Sequence, residues 1–279
     1  MLIPFQWIGL FATVTVFAVM FGLGLMLGRE QVAAALQRRG VLLAVVFAVV
    51  VPVPALALLA LNALAMSGPV AAGIVLMIIS PGAPVALRHA LDAGGSREFA
   101  PALHLAIVIL AVVTVPATVA ILDGIFAADF AVTPFQIGRQ VFFAQLLPLA
   151  LGALVRARRP ATAAKLEEPL GRVGNVLLLS LAMIVLVDMP QIIVAVGWTP
   201  AIAGVVLTLC ALAIGAMFAW RHDDVRATAA VAVAMRNPGL ALVIATVNRA
   251  PPDVTAAVIG YALGLGVTMV AFLQWRKRR

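Results

Sequence analysis

The sequence has few charged residues, a single cysteine and a single tyrosine. Asp, Glu, Lys and Arg make up 11% of its 279 residues, against about 25% in a typical soluble domain. This is too little charge to solvate the surface of a water-soluble protein of this length. The lone Cys210 excludes a disulfide within the chain and a cysteine-based metal cluster, and the three histidines show no ligand spacing. We therefore predict no metal, no cofactor and no redox chemistry.

Apolar residues dominate instead, with 64% hydrophobic residues and a mean hydropathy of +1.15. Nine apolar stretches each approach the length of roughly 20 residues that crosses a bilayer as a helix. These predicted spans cover about residues 5–27, 41–64, 69–91, 100–122, 137–155, 171–195, 200–220, 225–247 and 254–275. We expect an all-α polytopic membrane protein with nine transmembrane helices, the first of which is retained rather than cleaved as a signal peptide.

Basic residues are concentrated in alternate connections between the spans. Fifteen of the 19 Lys and Arg residues follow spans one, three, five and seven or close the chain. The positive-inside rule predicts that these segments are cytoplasmic, with the N-terminus outside the plasma (inner) membrane and the C-terminus in the cytoplasm. The same bias and anionic lipid headgroups account for the net charge of +8, so we expect no nucleic-acid partner.

Two spans contain helix-breaking residues near their middle. Span three contains Ser80-Pro81-Gly82-Ala83-Pro84 and span eight contains Arg236-Asn237-Pro238-Gly239. Proline removes a backbone donor and glycine adds backbone freedom, so both helices should be interrupted inside the membrane. Each break is followed by one last span of its set, which predicts an inverted repeat of residues 1–132 (spans one to four) and 133–279 (spans five to nine).

Paired discontinuous helices in inverted halves are typical of secondary transporters that bind substrate near the bilayer midplane. A half-helix N-terminus and the intramembrane Arg236 favour an anionic substrate. Arg88 lies about two turns past the first break, so it either faces the substrate or snorkels to the cytoplasmic interface. The predicted substrate-binding residues are Ser80, Pro81, Gly82, Pro84, Thr114, Arg236, Asn237, Pro238 and Gly239.

At these residues the chain resembles the bile acid:sodium symporter family. The resemblance extends in order through Met20-Phe21-Gly22-Leu23-Gly24-Leu25, the Ser80-Pro81-Gly82 break, Leu146 to Gly152 (L-L-P-x-x-L-G) and Asn237 to Ala241. It implies alternating access between a panel domain (spans 1, 2, 6 and 7) and a core domain (spans 3, 4, 5, 8 and 9), with the two broken helices crossing in the core. It also implies an organic anion as substrate. With nine predicted helices, the chain resembles the nine-helix members of the family.

The departures from the family pattern fall on its sodium ligands. Ala86-Leu87 replaces a Ser-Asn pair, the hydroxyl-rich run of the next helix keeps only Thr114, and the E-x-G-x-Q-N motif reads Ala232 to Asn237 with Arg236 in place of glutamine. Few hard oxygen ligands for a cation remain. We therefore expect Arg236 to act as a built-in cation that faces the substrate carboxylate, so that transport is not coupled to sodium.

Other functions stay open at this point. One is a sodium-dependent symporter of bile-acid type, and another is a carrier coupled to protons through His89. A third is a sensor or structural protein that does not transport, for which two matched breaks would be unnecessary. We expect no enzyme, because the sequence offers no nucleophile-base pair, no paired intramembrane aspartates and no H-E-x-x-H helix.

Overall fold

The chain is helical throughout the part that the structure describes, which confirms the all-α prediction for those residues. The structure, a computed structural model, describes residues 5–66, 68–83, 85–126, 134–188, 194 and 196–278. The helices are α1 (Phe5–Leu25), α2 (Arg29–Gln37), α3 (Arg39–Val50), α4 (Pro52–Ala63), α5 (Gly68–Ile78), α6 (Ala86–Asp92), α7 (Phe99–Phe126), α8 (Pro134–Val141), a π-helical turn (Phe142–Leu146), α9 (Leu147–Arg158), α10 (Pro160–Asp188), α11 (Thr199–Phe218), α12 (Asp223–Ala234), α13 (Pro238–Val247) and α14 (Pro252–Lys277).

Five helical stretches in the described residues are long and apolar enough to cross a membrane. They are Arg39–Ala63, Phe99–Ala120, Phe135–Arg158, Thr199–Phe218 and Pro252–Lys277. A sixth is obtained if α1 and α2, which meet at an angle of 81°, count as one span. The chain is thus an integral membrane protein, whereas the number of nine spans and the inverted repeat stay predictions. The end of the predicted sixth span and the boundary at residues 132 and 133 lie outside the described residues.

Helices α1 and α9 cross with their backbones in contact, and glycines make this approach possible. A Cβ atom on Gly24 would lie 2.2 Å from the Leu149 carbonyl oxygen, and one on Gly152 would lie 2.2 Å from the Phe21 carbonyl oxygen. Small residues at helix interfaces in lipid allow the close van der Waals packing that replaces the hydrophobic driving force. This contact gives a structural reason for Gly24 and Gly152 in two of the sequence motifs.

A second close-packed interface joins α14 to α11. A Cβ on Gly264 would lie 2.0 Å from the Ala201 oxygen, and one on Gly204 would lie 2.3 Å from the Tyr261 oxygen. Helix α14 also packs on α5, where Gly73 approaches the Val254 oxygen in the same way. Helix α5 precedes the first break, and α12, which packs on α11, precedes the second. Both helices therefore belong to one bundle with α11 and α14.

The contacts between helices separate two groups within the described residues. One group consists of α1, α9 and α10, which pack on one another, and the other contains α3, α5, α11, α12 and α14. Helix α13 bridges them, because it packs on both α1 and α14. We assigned span two (α3 and α4) and span seven (α11) to the panel, yet they lie against helices of the core. Conversely, we assigned span five to the core, yet its helix α9 lies against α1 and α10 of the panel. The division into these two domains stays a prediction.

Candidate substrate site at the paired helix breaks

The first break follows α5, as its proline and glycine predict. The helical hydrogen bonds end with a bond from the Ser80 N–H to the Met77 oxygen (3.2 Å), and Pro81 has no N–H to continue them. Gly82 takes a positive φ of 77°, a conformation that costs other residues about 1–2 kcal/mol. Helix α6 begins four residues later at Ala86. The predicted interruption is confirmed, although Pro84 lies outside the described residues.

The second break lies between α12 and α13 and is also confirmed. Met235 is extended after the last residue of α12, and α13 begins at Pro238. Asn237 is the N-cap of α13, since its side-chain oxygen accepts a hydrogen bond from the Leu240 N–H at 3.0 Å. In the first turn of α13, Pro238 has no N–H and the Leu240 N–H is capped by Asn237. The Gly239 N–H is therefore the donor of this turn that has no acceptor within the helix.

The two breaks lie against each other. Pro81 and Arg236 form an isolated antiparallel β-bridge, and the Asn237 N–H donates to the Ser80 oxygen at 2.7 Å. The Asn237 side-chain amide donates to the Gly82 oxygen at 3.3 Å. Backbone groups that the breaks release are therefore paired with the opposite break, which meets the requirement that non-helical backbone in a membrane be buried and hydrogen-bonded. Five of the predicted site residues thus meet at one point.

Arg236 is buried at this junction and has no counter-ion among the residues that the structure describes. Its side chain is 1% exposed, and its Nη1 donates to the Val49 oxygen at 3.4 Å. Its Nε and Nη2 atoms have no hydrogen-bond partner, and none of the ion pairs among the described residues involves it. An arginine at mid-membrane costs about 2.5–3.5 kcal/mol on insertion scales, and a guanidinium stays charged in proteins. The site therefore holds a positive charge with unused donors.

A small cavity adjoins the guanidinium and contains the predicted residue Thr114. It has a volume of about 10 Å³, which is room for one water molecule at most. The cavity is lined by Val49, Val50, Pro54, Ile78, Ile79, Pro81, Thr114, Thr118 and Arg236. The Thr114 hydroxyl donates to the Leu110 oxygen at 3.0 Å within its own helix, so only its acceptor lone pairs are free to face the cavity. In this conformation the junction is closed to an organic molecule.

A larger cavity of about 680 Å³ opens between α1, α6 and α10. Its size falls in the usual range of about 300–1,000 Å³ for small-molecule sites. Arg88 is exposed into it from α6, and Arg172 and Glu168 form an ion pair at its rim. Val85, directly before α6, also lines it. The cavity therefore begins at the end of the first break, on the side that the basic residues assign to the cytoplasm.

The remaining two predicted residues lie at the start of α13. Pro238 is partly buried and Gly239 is buried, with the Gly239 Cα so close to α1 that a Cβ would lie 2.7 Å from Val16 Cγ2. They shape the first turn of α13 rather than presenting a side chain to a ligand.

Among the described residues, no group of three or more His, Cys, Asp or Glu side chains converges as a metal site would require.

Our sequence analysis missed Gln145, which lies in the π-helical turn before α9. Its side chain is 0% exposed, and neither its amide nitrogen nor its amide oxygen has a hydrogen-bond partner. A signal for it exists in the sequence, because a glutamine in the middle of an apolar span is costly in lipid and marks a candidate functional position. The Val49 carbonyl, which accepts the hydrogen bond from Arg236, has by contrast no signature in the sequence.

Comparison with known proteins gives one family. The sequence model of the Sodium Bile acid symporter family matches residues 13–197, about two thirds of the chain, and includes the first break. No curated protein matches the chain. The matched residues include α1 from Thr13 onward, whose Gly24 packs on α9, and the motif that supplies Gly152. The second break and Arg236 lie beyond them. The chain belongs to the Sodium Bile acid symporter family.

Proposed function

We propose that this protein is a secondary transporter that moves a small organic anion by alternating access without sodium coupling. Family membership supports a secondary transporter of the bile-acid and organic-anion type. The choice of an anion, its place at the paired breaks and the coupling are our own inferences from the site.

The observation that carries the proposal is the unneutralised guanidinium of Arg236. A buried cation with two unused nitrogen donors and no carboxylate partner is expensive unless a ligand supplies the missing charge. A substrate carboxylate would accept charge-assisted hydrogen bonds from Nε and Nη2, which have the fork geometry that matches its two oxygens. The open Gly239 N–H at the positive end of α13 adds a further donor.

The same charge argues against a sodium ion at the second break. At about 4 Å and an effective dielectric constant of about 20, a cation and the guanidinium repel each other by about 4 kcal/mol. The positions where family members carry sodium ligands here hold Ala86, Leu87 and Ala232, none of which offers a side-chain oxygen. Arg236 thus supplies permanently the positive charge that the ion brings in the relatives.

Transport requires the closed junction to open, because the cavity beside Arg236 is too small for an organic molecule. The larger cavity between α6 and the helices α1 and α10 gives the route from one side. The contacts favour α1, α9 and α10 as the unit that moves against the remaining helices. This grouping differs from the panel and core that we predicted from the family resemblance, and we propose it as the division that moves.

Flux into proteoliposomes tests the proposal. We expect radiolabelled butyrate or radiolabelled cholate to enter at the same rate with an inward sodium gradient and with sodium replaced by potassium. Uptake that requires the sodium gradient would overturn the uncoupled mechanism and favour the sodium symporter. Rates that change steeply between about pH 5 and 8 would instead favour proton coupling through His89.

Replacing Arg236 by glutamine tests the role of the charge. We expect Arg236→Gln to lower anion affinity by about tenfold or more, because a hydrogen bond to a charged group contributes about 1.5–3 kcal/mol. Arg139→Gln is the matched control, since Arg139 is exposed on α8 and lines neither cavity described above. Equal affinities in the two variants would show that Arg236 serves packing alone.

A further inference from the structure

We propose that Gln145 is a specificity-determining residue that binds an uncharged polar group of the substrate, such as a hydroxyl, carbonyl or amide. The inference rests on the proposed function, since it assumes that the carboxylate of the same substrate binds Arg236. It adds a second point of recognition beside Gly82 of the first break.

The local sequence places Gln145 in an unusual turn. Pro148 has no N–H and cannot bond to the Ala144 carbonyl, and the Leu147 N–H reaches back to the Phe142 oxygen. The helix between α8 and α9 therefore opens into a π-helical turn over Phe142–Leu146. Such turns place an extra residue in the helix and are frequent at functional sites. Here the buried residues of the turn are Ala144 and Gln145, so the glutamine side chain enters the protein rather than the lipid.

The amide of Gln145 faces the first break. A Cβ atom on Gly82 would lie 3.7 Å from Gln145 Oε1 and 3.0 Å from Val108 Cγ2. The missing side chain of Gly82 thus leaves the amide next to the backbone of the break. The Ser80 hydroxyl, two residues away, is buried and also has no hydrogen-bond partner. The first break thus has one buried, unpaired hydroxyl within it and one buried, unpaired amide beside it.

An apolar residue would be the more stable choice at this position. A buried amide whose donor and acceptor both lack partners is penalised, and lipid offers no water to replace them. A primary amide supplies a donor and an acceptor in one group, so it can bind a hydroxyl, a carbonyl or another amide. It has no charge and adds little to the attraction of an anion. Its contribution is selectivity between carboxylates that differ in a neutral polar substituent.

Gln145 and Arg236 contact consecutive residues of the first break, because Gln145 lies beside Gly82 and Arg236 is bridged to Pro81. Helix α7 runs past both, with Val108 beside Gly82 and Thr114 beside the Arg236 cavity. These two α7 positions are six residues apart, which is about 9 Å along a helix axis. We therefore expect a short carboxylate that carries its polar substituent a few bonds from the acid group.

Binding of four matched carboxylates to the purified protein in lipid nanodiscs tests this inference. The probes are butyrate and its 2-, 3- and 4-hydroxy derivatives, measured by calorimetry and by thermal shift. We expect at least one hydroxy derivative to bind the wild-type protein about tenfold tighter than butyrate. In Gln145→Met, which keeps the side-chain length without the amide, that derivative should bind no tighter than butyrate does. The variant should also unfold at a higher temperature, because two unsatisfied groups are removed.

Gln145→Leu provides a second variant if the methionine variant does not fold. A preference that persists in both variants, or no preference in the wild-type protein, would overturn the inference while the proposed function stands. Failure of all four probes to bind would overturn the inference of a short hydroxylated substrate, whereas the proposed function is overturned only if cholate also fails to enter the proteoliposomes. Arg236→Gln separates the two sites, because it should weaken all four probes together and leave the ratio between them unchanged.

Discussion

Asn237 makes three hydrogen bonds, two of which join the two broken helices. Its side-chain oxygen caps α13, its side-chain amide donates to the Gly82 oxygen, and its backbone N–H donates to the Ser80 oxygen. Its neighbour Arg236 makes one long hydrogen bond and leaves two nitrogens without partners. Asn237 is thus satisfied within the protein, whereas Arg236 keeps the unused donors on which the proposed anion site depends.

Replacing Asn237 by alanine should destabilise the protein. Loss of an N-cap costs about 0.5–2 kcal/mol, and the Gly82 oxygen would lose its side-chain donor at a cost of about 1–3 kcal/mol. Thermal unfolding of the purified protein in detergent would measure the effect. Asn62→Ala is the control, because Asn62 is exposed on α4. Unfolding at the same temperature in both variants would contradict the structural role of Asn237.

At the scale of the helices, local sequence accounts for the interruptions and only packing accounts for the contacts. Pro81 with Gly82, and Pro238 with Gly239, predict both breaks because proline and glycine act on the backbone of their own turn. The π-helical turn at Phe142–Leu146 has the same kind of cause in Pro148, yet proline alone does not distinguish a kink from a π turn. The approach of α1 to α9 depends on two glycines that are far apart in the sequence.

The contact between α1 and α9 can be tested within one motif. Gly24→Ala should destabilise the protein by about 1–3 kcal/mol or more, because its Cβ would lie 2.2 Å from a carbonyl oxygen of α9 and the helices would have to separate. Gly22→Ala is the matched control in the same helix, since its Cβ would meet only Leu170 Cβ at 3.7 Å. Thermal unfolding in detergent compares them. If Gly22→Ala is as harmful as Gly24→Ala, the close crossing is not what the motif provides.

At the scale of the whole molecule, contacts join segments that the charge pattern assigns to the same side of the membrane. Arg38 pairs with Asp224, and Arg276 Nε donates to the Ala93 oxygen at 3.0 Å, all four in segments predicted to be cytoplasmic. At the predicted outer side, Gln140 and Asn248 exchange two amide hydrogen bonds of 3.0 and 3.1 Å. These contacts group the connections between spans at two opposite ends of the helices. The excess of positive charge assigns one of these ends to the cytoplasm.

Cysteine labelling in intact cells tests that assignment, because the chain has only Cys210 to remove. In a Cys210→Ala background, Asp253→Cys should react with a membrane-impermeant maleimide, since Asp253 is exposed at the predicted outer start of α14. Glu168→Cys, exposed on α10, should react only after the cells are permeabilised. The opposite labelling pattern would invert the proposed orientation and place the cavity beside Arg88 outside the cell.

The amino-acid sequence by itself determined the membrane setting, the two interrupted helices and the presence of an intramembrane arginine. Each of these depends on hydropathy, on proline and glycine, or on charge within a short stretch of chain. The tertiary structure decided that the breaks meet through Asn237, that Arg236 has no carboxylate partner among the described residues, and that Gln145 faces Gly82. These facts depend on which surfaces of distant helices come together. A pattern confined to a few turns cannot specify that, because packing in lipid is decided by close van der Waals fit and by the pairing of buried polar groups.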